Sequence, residues 1–428
     1  MAFIHEHIIL PLSDLLKGES VHKYLRLLRE AESWSEEQMH DFQQQRLAKL
    51  MRYAAEKVPF YRDWFHSQGL DPRTATLDQL PVVDKALMRR EGIDRFAAEG
   101  FPEHERMVLH SSGSTGEPFV FYDTKLSYSV NMASKLRTWY QAGYHLGDKY
   151  MKISSSSRNS RIKRIQDWAN RCSFEVYNSL NETSLSRILD NIERKKPLFI
   201  RSYPDPLYIL AQYRIRNKCY THRPNYIMTT ASTLSDHQRN IIQDAFGCSI
   251  IDSYSCEGTP NTFQTPGNNT YHVCQYYGII EVLDDNGDPV INGTGHVVST
   301  DLWNFAQPFI RYDTKDIVEV YNGDIVHIAG RSSECVKLPD GALLSANNLT
   351  AFFNKKDDVI TAYRLVFHQN GNVEVFVVPT NLFSDADKQE IINYWGHRLK
   401  TQVTVTLTES LSQRKNGKFQ TIINETTD

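Results

Sequence analysis

No stretch of this 428-residue chain comes near the roughly 18–20 consecutive apolar residues of a membrane-spanning helix. The opening Met-Ala-Phe-Ile-His-Glu-His lacks the basic-then-apolar layout of a secretory signal, so a cytoplasmic location is expected. Cysteine is sparse and scattered: Cys172, Cys219, Cys248, Cys256, Cys274 and Cys335 form no C-x-x-C pair, which argues for reduced thiols rather than a disulfide frame or a zinc site. An excess of charge is missing too. Forty-eight Lys and Arg stand against 51 Asp and Glu, leaving a formal charge of -3 and no global field for nucleic acid or an anionic membrane. Neither an internal repeat nor a low-complexity tract interrupts the chain. With 40% hydrophobic and 23% charged residues, the composition is that of an ordinary globular protein long enough for two or three domains.

Between Glu36 and Val58 the residues Met39, Phe42, Leu47, Leu50, Met51, Ala54 and Val58 recur at steps of three to five, which predicts one amphipathic helix ended by Pro59. Leu80-Pro81-Val82-Val83-Asp84-Lys85 reads as a connector into another helical segment. In the middle of the chain, short apolar runs at Tyr150–Ile153, Leu198–Tyr203, Tyr226–Thr229 and Ser249–Ser253 alternate with helical stretches, the pattern of parallel strands in an α/β layer fold. From about Gly278 the texture turns to strand and turn, with strands expected at Ile279–Leu283, His296–Thr300, Ile317–Tyr321 and Asp324–Ile328. The last hundred residues read as a small α+β domain, with strands at Tyr363–His368, Val373–Val378 and Val403–Leu407 and a helix over Ser384–Leu399.

The strongest chemical signal is His110-Ser111-Ser112-Gly113-Ser114-Thr115-Gly116-Glu117-Pro118, flanked by Met107-Val108-Leu109 and Phe119-Val120-Phe121. Two glycines let the backbone turn tightly and bring N–H groups close to a ligand, and the hydroxyls of Ser111, Ser112, Ser114 and Thr115 add donors, so the loop suits a polyphosphate. Taken alone it also fits an ordinary Gly/Ser hairpin turn. Neither G-x-x-x-x-G-K-[ST] nor G-x-G-x-x-G after a strand competes with it.

This loop resembles that of the adenylate-forming (AMP-forming) acyl-CoA synthetase superfamily, which reads S-S-G-[ST]-T-G-x-P. The resemblance continues in order through Thr229-Thr230-Ala231-Ser232-Thr233-Leu234, Asp252-Ser253-Tyr254-Ser255-Cys256-Glu257-Gly258, Thr300-Asp301-Leu302, Arg311-Tyr312-Asp313-Thr314-Lys315-Asp316, Gly330-Arg331-Ser332-Ser333-Glu334 and Asn416-Gly417-Lys418. Val58-Pro59-Phe60-Tyr61-Arg62, Leu80-Pro81-x-x-Asp84-Lys85 and Ser202-Tyr203-Pro204 are similar to the phenylacetate-CoA ligase branch and its relatives in capsular polysaccharide biosynthesis.

What the resemblance implies can be carried over residue by residue. Ser111, Ser112, Gly113, Ser114, Thr115 and Gly116 hold the β- and γ-phosphates of ATP. Glu257 holds Mg2+, a hard cation that takes one or two carboxylates from protein. Tyr254 stacks on adenine, with Ala231 and Ser232 lining the same pocket. Asp316 accepts hydrogen bonds from the ribose hydroxyls and Arg331 faces the phosphate. Lys418 places a compact positive charge between the attacking carboxylate and the α-phosphate. The plain alternatives are a solvated loop Glu, a core Tyr, surface ion pairs for Asp316 and Arg331, and a solvated basic tail around Lys418.

The sequence also departs from the pattern. Two residues separate Tyr254 from Glu257 where the family has three, so either Ser253 takes the aromatic's place or the loop is one residue shorter. Ala231-Ser232 replaces a common Gly-Glu, and Lys315 replaces the Gly of a T-G-D triplet, which was free to take positive φ. The cysteine pair that branch members carry before the G-R motif is replaced by Val326-His327-Ile328-Ala329; His272-x-Cys274 alone is too few ligands for zinc, so no structural zinc is expected. Arg158 to Arg164 could meet coenzyme A phosphates but reads more simply as a solvated helix face.

The expected fold is α/β: a large N-terminal adenylating domain with a β-rich subdomain, residues 1–330, and a small mobile α+β lid, residues 331–428, hinged near Ser333 and Glu334. The expected activity is ATP-dependent activation of a carboxylic acid to an acyl-adenylate, followed by transfer to coenzyme A. Amide formation with an amine acceptor, or a degenerate nucleotide-binding protein, are the alternatives. Trp139, Tyr140, Tyr203 and Tyr208 are candidates to line an acid pocket, or else core aromatics. Dimers are common in the branch, which makes a homodimer the expected assembly; no nucleic acid or membrane partner is implied.

Overall fold

The computed structural model describes residues 2–110, 120–154, 161–177, 180–256, 258–331, 336–337, 343–344, 352–353, 356, 358–411 and 422–425. Its strands are, in chain order, β1 (Arg106–His110), β2 (Val120–Thr124), β3 (Tyr150–Ser154), β4 (Cys172–Val176), β5 (Phe199–Ser202), β6 (Tyr226–Thr230), β7 (Ser249–Tyr254), β8 (Thr262–Thr265), β9 (Asn268–Val273) and β10 (Gly278–Leu283). There follow β11 (Gly293–Asp301), β12 (Tyr312–Tyr321), β13 (Asp324–Arg331), β14 (Val336–Lys337), β15 (Leu343–Leu344), β16 (Ile360–Phe367), β17 (Val373–Pro379), β18 (Val403–Leu407) and β19 (Ile422–Asn424). The chain divides into two compact units, Met1–Gly147 with Ser253–His327, and Asp148–Asp252 with Ile328–Asp428. It passes between them after Gly147, inside β7 and again inside β13.

In the first unit, helix Glu36–Lys57 starts at a capping box: the Ser35 hydroxyl accepts the Gln38 N–H at 3.2 Å and the Gln38 side chain accepts the Ser35 N–H at 2.9 Å. Leu47, Leu50, Met51 and Ala54 form its buried stripe, and Pro59 opens the next helix, Pro59–Ser67, at a position where its missing N–H costs nothing. The helix therefore ends where the apolar spacing and Pro59 placed it. Strands β10, β11, β12, β13, β9 and β8 lie in that spatial order, and β10–β11, β11–β12, β13–β9 and β8–β9 pair antiparallel. The β-rich texture after Gly278 is thus a sheet, with β8 and β9 added to it. These two escaped the sequence reading because Thr262–Thr265 and Asn268–Val273 are rich in polar residues.

The second unit holds the parallel strands, ordered β4, β3, β5, β6, β7, with β3–β4, β3–β5 and β5–β6 pairing parallel. Reversal of strand order beside β3 is the doubly wound arrangement that sequential strand–helix units produce. Helices Glu182–Lys195, Pro204–Arg216 and Asp236–Phe246 bury Leu185, Ile188, Leu189, Leu207, Ile242 and Phe246 with Ile200 and Ile227 of the strands. The C-terminal sheet, ordered β18, β17, β16, β19, forms a separate core with helix Asp385–Leu399, in which Trp395 and Ile391 are fully buried against Val375 and Val377. Among the described residues no helix is long and apolar enough to cross a membrane.

Candidate active site

Two segments singled out in the sequence lie side by side in the first unit. The Val83 N–H donates to the Arg311 carbonyl at 2.9 Å and the Asp313 N–H donates to the Val83 carbonyl at 2.8 Å. The Arg311 guanidinium donates to the carbonyls of Leu80 at 2.9 Å and Asp78 at 3.0 Å, and pairs with Glu281 at 3.1 Å. This ties Leu80–Lys85 to Arg311–Asp316. Lys315, standing where the resemblance has glycine, adopts φ 61°, so the glycine-like backbone angle is kept with a side chain in place. Its N–H donates to Asp313 Oδ1 at 2.8 Å, and its Nζ bridges Asp313 at 2.8 Å and Asp84 at 3.0 Å. Asp84 in turn caps helix Lys85–Glu91 by accepting the Leu87 N–H at 2.8 Å.

An irregularity in β12, where its register with β11 shifts between Asp313 and Ile317, presents Asp316, 6% exposed, to the end of β7. There the Tyr254 hydroxyl donates to Asp316 Oδ2 at 2.7 Å and to the Thr314 hydroxyl at 3.3 Å. Thr314 also accepts the Asp316 N–H at 3.1 Å and donates to the Val297 carbonyl at 3.1 Å, which fixes the carboxylate's approach. Sequence reading missed this threonine; its place two residues before Asp316 was the available signal. Burial and the neighbouring Asp316 carboxylate push the Tyr254 phenol well above its ordinary pKa, so it stays a proton donor. Asp316 thus already accepts one hydroxyl, the Tyr254 phenol, and an acceptor-only carboxylate could accept further hydroxyls such as those of a ribose.

In the second unit, Ala231 and Ser232 follow β6 directly. Ala231 takes φ 71°, again a left-handed angle where the resemblance has glycine. Ser232 Oγ is buried with no hydrogen-bond partner among the described residues. Just before them the Thr229 hydroxyl donates to Asp252 Oδ1 at 2.6 Å, and Ser235 caps helix Asp236–Phe246.

Ser111, Ser112, Gly113, Ser114, Thr115, Gly116, Glu257, Lys418 and the expected hinge at Ser333 and Glu334 lie outside the described residues, as does the side chain of Arg331 at the end of β13. Their flanks are described. His110 pairs with Val120, so β1 and β2 meet at the base of segment 111–119. Gly258, at φ 70°, lies against Phe309, whose ring a Cβ there would approach to 2.6 Å. Of the candidate pocket aromatics, Tyr140 donates to Glu6 at 3.0 Å beneath the Arg29 guanidinium, and Trp139 packs edge-on to Tyr144. The Tyr208 hydroxyl meets His237 at 3.3 Å and Gln212 at 3.1 Å, while Tyr203 precedes helix Pro204–Arg216 at its N-cap position without a side-chain capping bond. An open cleft of ≈ 590 Å³ between β9, β10 and β13 contains none of the expected site residues. No group of three or more His, Cys, Asp or Glu fit to hold a metal occurs among the described residues.

No family model matches the chain. It is 24% identical over 385 residues to Protein CapK of Staphylococcus aureus, covering 85% of this chain and 82% of that protein. It is 22% identical over 409 residues to the phenylacetate-coenzyme A ligase of Pseudomonas putida, covering 89% and 91%, and 25% identical over 302 residues to that of Thermus thermophilus, covering 67% of each. Among solved structures, 2-hydroxyisobutyryl-CoA ligase in its postadenylation state superposes with a TM-score of 0.69 at 17% identity over 92% of this chain and 90% of that one. Anthranilate CoA ligase superposes with a TM-score of 0.54 at 16% identity, over 76% and 66%. These likenesses in sequence and fold support the resemblance to the adenylate-forming superfamily of AMP-forming ligases, in its phenylacetate-CoA ligase-like branch.

Proposed function

We propose that the protein activates a carboxylic acid with Mg-ATP and passes the acyl group to coenzyme A. The observation that carries this reading is the Asp316 carboxylate, buried beside Tyr254 and already accepting a hydroxyl at 2.7 Å, at a bulge of β12 whose left-handed backbone is retained at Lys315. In the first half-reaction a substrate carboxylate oxygen attacks the α-phosphorus of ATP, forming the acyl-adenylate as pyrophosphate leaves. In the second, the thiol sulfur attacks the acyl carbon, its proton is released, and AMP departs. No side-chain nucleophile is needed, so catalysis is positioning and charge neutralisation.

The roles follow the resemblance. Asp316 anchors the ribose; Tyr254, Ala231 and Ser232 bound the adenine; Ser111 to Gly116 hold the β- and γ-phosphates. Arg331 and Lys418 meet the charge that develops around the α-phosphate. Mg2+, held by Glu257, neutralises phosphate charge when bound. Residues 331–428 act as a lid on residues 1–330, turning near Ser333 and Glu334 between the half-reactions. The enzyme works in the cytoplasm, as a homodimer.

The test is Mg-dependent pyrophosphate release from ATP across a panel of carboxylic acids, with coenzyme A or amine acceptors added in separate arms. Release that requires one acid and falls at least about a hundredfold in Lys418→Ala is the expected result, since the lysine contributes only in the transition state. Higher turnover with an amine than with coenzyme A would replace the thioester step by amide formation. ATP binding without release for any acid would make the chain a nucleotide-binding protein that has lost the chemistry.

A further inference from the structure

The chain opens with one continuous helix, α over Ala2–Ile4, π over His5–Ile9 and α again over Leu10–Lys17, ended by Gly18 at φ 65°. Its two sides are the reverse of those of an ordinary surface helix. The side turned to the protein is polar. His5 is buried against Gly147, where a Cβ would come within 2.5 Å of its ring. Glu6 pairs with Arg29 and accepts the Tyr140 hydroxyl at 3.0 Å. Asp14, also buried, accepts the His22 N–H at 2.8 Å.

The side turned to solvent is apolar. Phe3, Ile4, Ile8, Leu12, Leu15 and Leu16 are between 48% and 80% exposed. They stand in two rows at steps of four, Phe3 to Leu15 through His7 and Pro11, and Ile4 to Leu16 through Ile8 and Leu12. The π segment winds more slowly than the α turns beside it, so both rows stay on one side of the helix along its length. No Asp, Glu, Lys or Arg falls in either row. Single exposed leucines need no explanation, but a contiguous stripe of this kind is rare on a monomer. The exposed parts of the six side chains come to on the order of 500 Å² of apolar surface. A stable homodimer buries roughly 800 Å² per partner, about 65% of it apolar, which is a matching amount.

Two features pick out the occupant. Rows at steps of four are the ridges that interdigitate in the commonest helix crossing, so the stripe fits a copy of itself across a two-fold axis. A bilayer surface, by contrast, is met by lysines and arginines flanking an apolar side. Here Lys17 is paired with Glu19, Arg26 with Glu30 and Arg29 with Glu6, so the cations at these positions are matched by carboxylates. We propose that the stripe is the interface through which two copies of this chain associate, helix 2–17 of one packing on helix 2–17 of the other. The proposal rests on the homodimer named above and gives it a surface; it does not depend on the acid or the acceptor.

The experiment is sedimentation velocity of the full-length protein across the micromolar range. Wild type is compared with Leu12→Glu combined with Leu16→Glu, and with Leu382→Glu, an exposed leucine outside the stripe. Both stripe positions are exposed, so the double variant keeps its fold, which an unchanged near-ultraviolet circular dichroism spectrum verifies. Wild type and Leu382→Glu should sediment as dimers. The double variant should dimerise at least about a hundredfold more weakly, because four like charges would meet in one contact. A dimer that persists in the double variant overturns the stripe as its interface and leaves the homodimer on another surface. A wild-type monomer at every concentration overturns both, and its flotation with phosphatidylcholine vesicles would give the stripe to a membrane surface instead. Pyrophosphate release measured on the same samples tests the ligase reading separately.

Discussion

Ala231 and Lys315 each hold a left-handed backbone angle, φ 71° and 61°, that an L side chain adopts at a cost of about 1–2 kcal/mol. The two are compensated differently. Lys315 recovers part of that cost through ion pairs to Asp84 and Asp313, each worth no more than about 1 kcal/mol because its side chain is 51% exposed. The Ala231 methyl can form neither an ion pair nor a hydrogen bond to offset the strain. Ala231→Gly should therefore raise stability by about 0.5–1 kcal/mol, the relieved strain less the extra entropy of glycine in the unfolded chain, whereas Lys315→Gly should change it by less. Urea midpoints measured side by side decide this; a destabilised Ala231→Gly would mean that the methyl group packs better than the backbone suffers. Both positions were flagged in the sequence only as departures from glycine. Their conformations follow from the segments they sit in, which the site's geometry holds fixed whichever side chain occupies them.

Turns and strands differ in how far the sequence disclosed them. Strands β5, β6 and β7 were legible because their apolar runs are buried, while β9 was not, since Asn268, Asn269 and His272 face solvent along it. The tie between Arg311 and Leu80 spans 231 residues, and no local pattern marks such a pair before the chain is folded. The turn after β11 was visible only as three residues of a motif, Thr300-Asp301-Leu302, yet it carries a titration of its own. Asp301 is 2% exposed; burial, and then the nearby Asp123, push its carboxyl up to about 6, against hydrogen bonds from Trp303, Tyr277 and Asn304 that hold it down. The native state therefore binds this proton more tightly than the unfolded chain does. The stability so gained is full below pH 4 and is lost as pH rises through about 6. Asp301→Asn lacks that loss, so its stability relative to wild type should improve by on the order of 2–3 kcal/mol between pH 4 and pH 8. Urea unfolding at a series of pH values reads the difference directly, and a difference flat across that range would contradict it.

At the scale of the molecule, the α/β class and the separate character of the C-terminal sheet were readable from the alternation of strands and helices. The interleaving of the two compact units was not, because contact between distant segments leaves no compositional mark at Gly147 or Asp252. It makes fragments unequal. Residues 331–428 contain a core of their own around Trp395, whereas residues 1–147 lack β8 to β12, against which their unit is built. Expressed alone, 331–428 should melt cooperatively by circular dichroism and 1–147 should not; a sharp transition for 1–147 would show that its helices suffice. The interleaving also bears on biosynthesis. When residue 147 leaves the ribosome its unit is unfinished, and the completing strands arrive only after the whole 148–252 segment has been made, about 5–20 seconds later at ordinary rates of translation. For that interval Gln43, Phe42, Arg46 and Tyr53 of helix Glu36–Lys57 lack the partners they meet at Gln275, Tyr276, Trp303 and Phe305, so the nascent chain exposes a helix face that the finished fold covers.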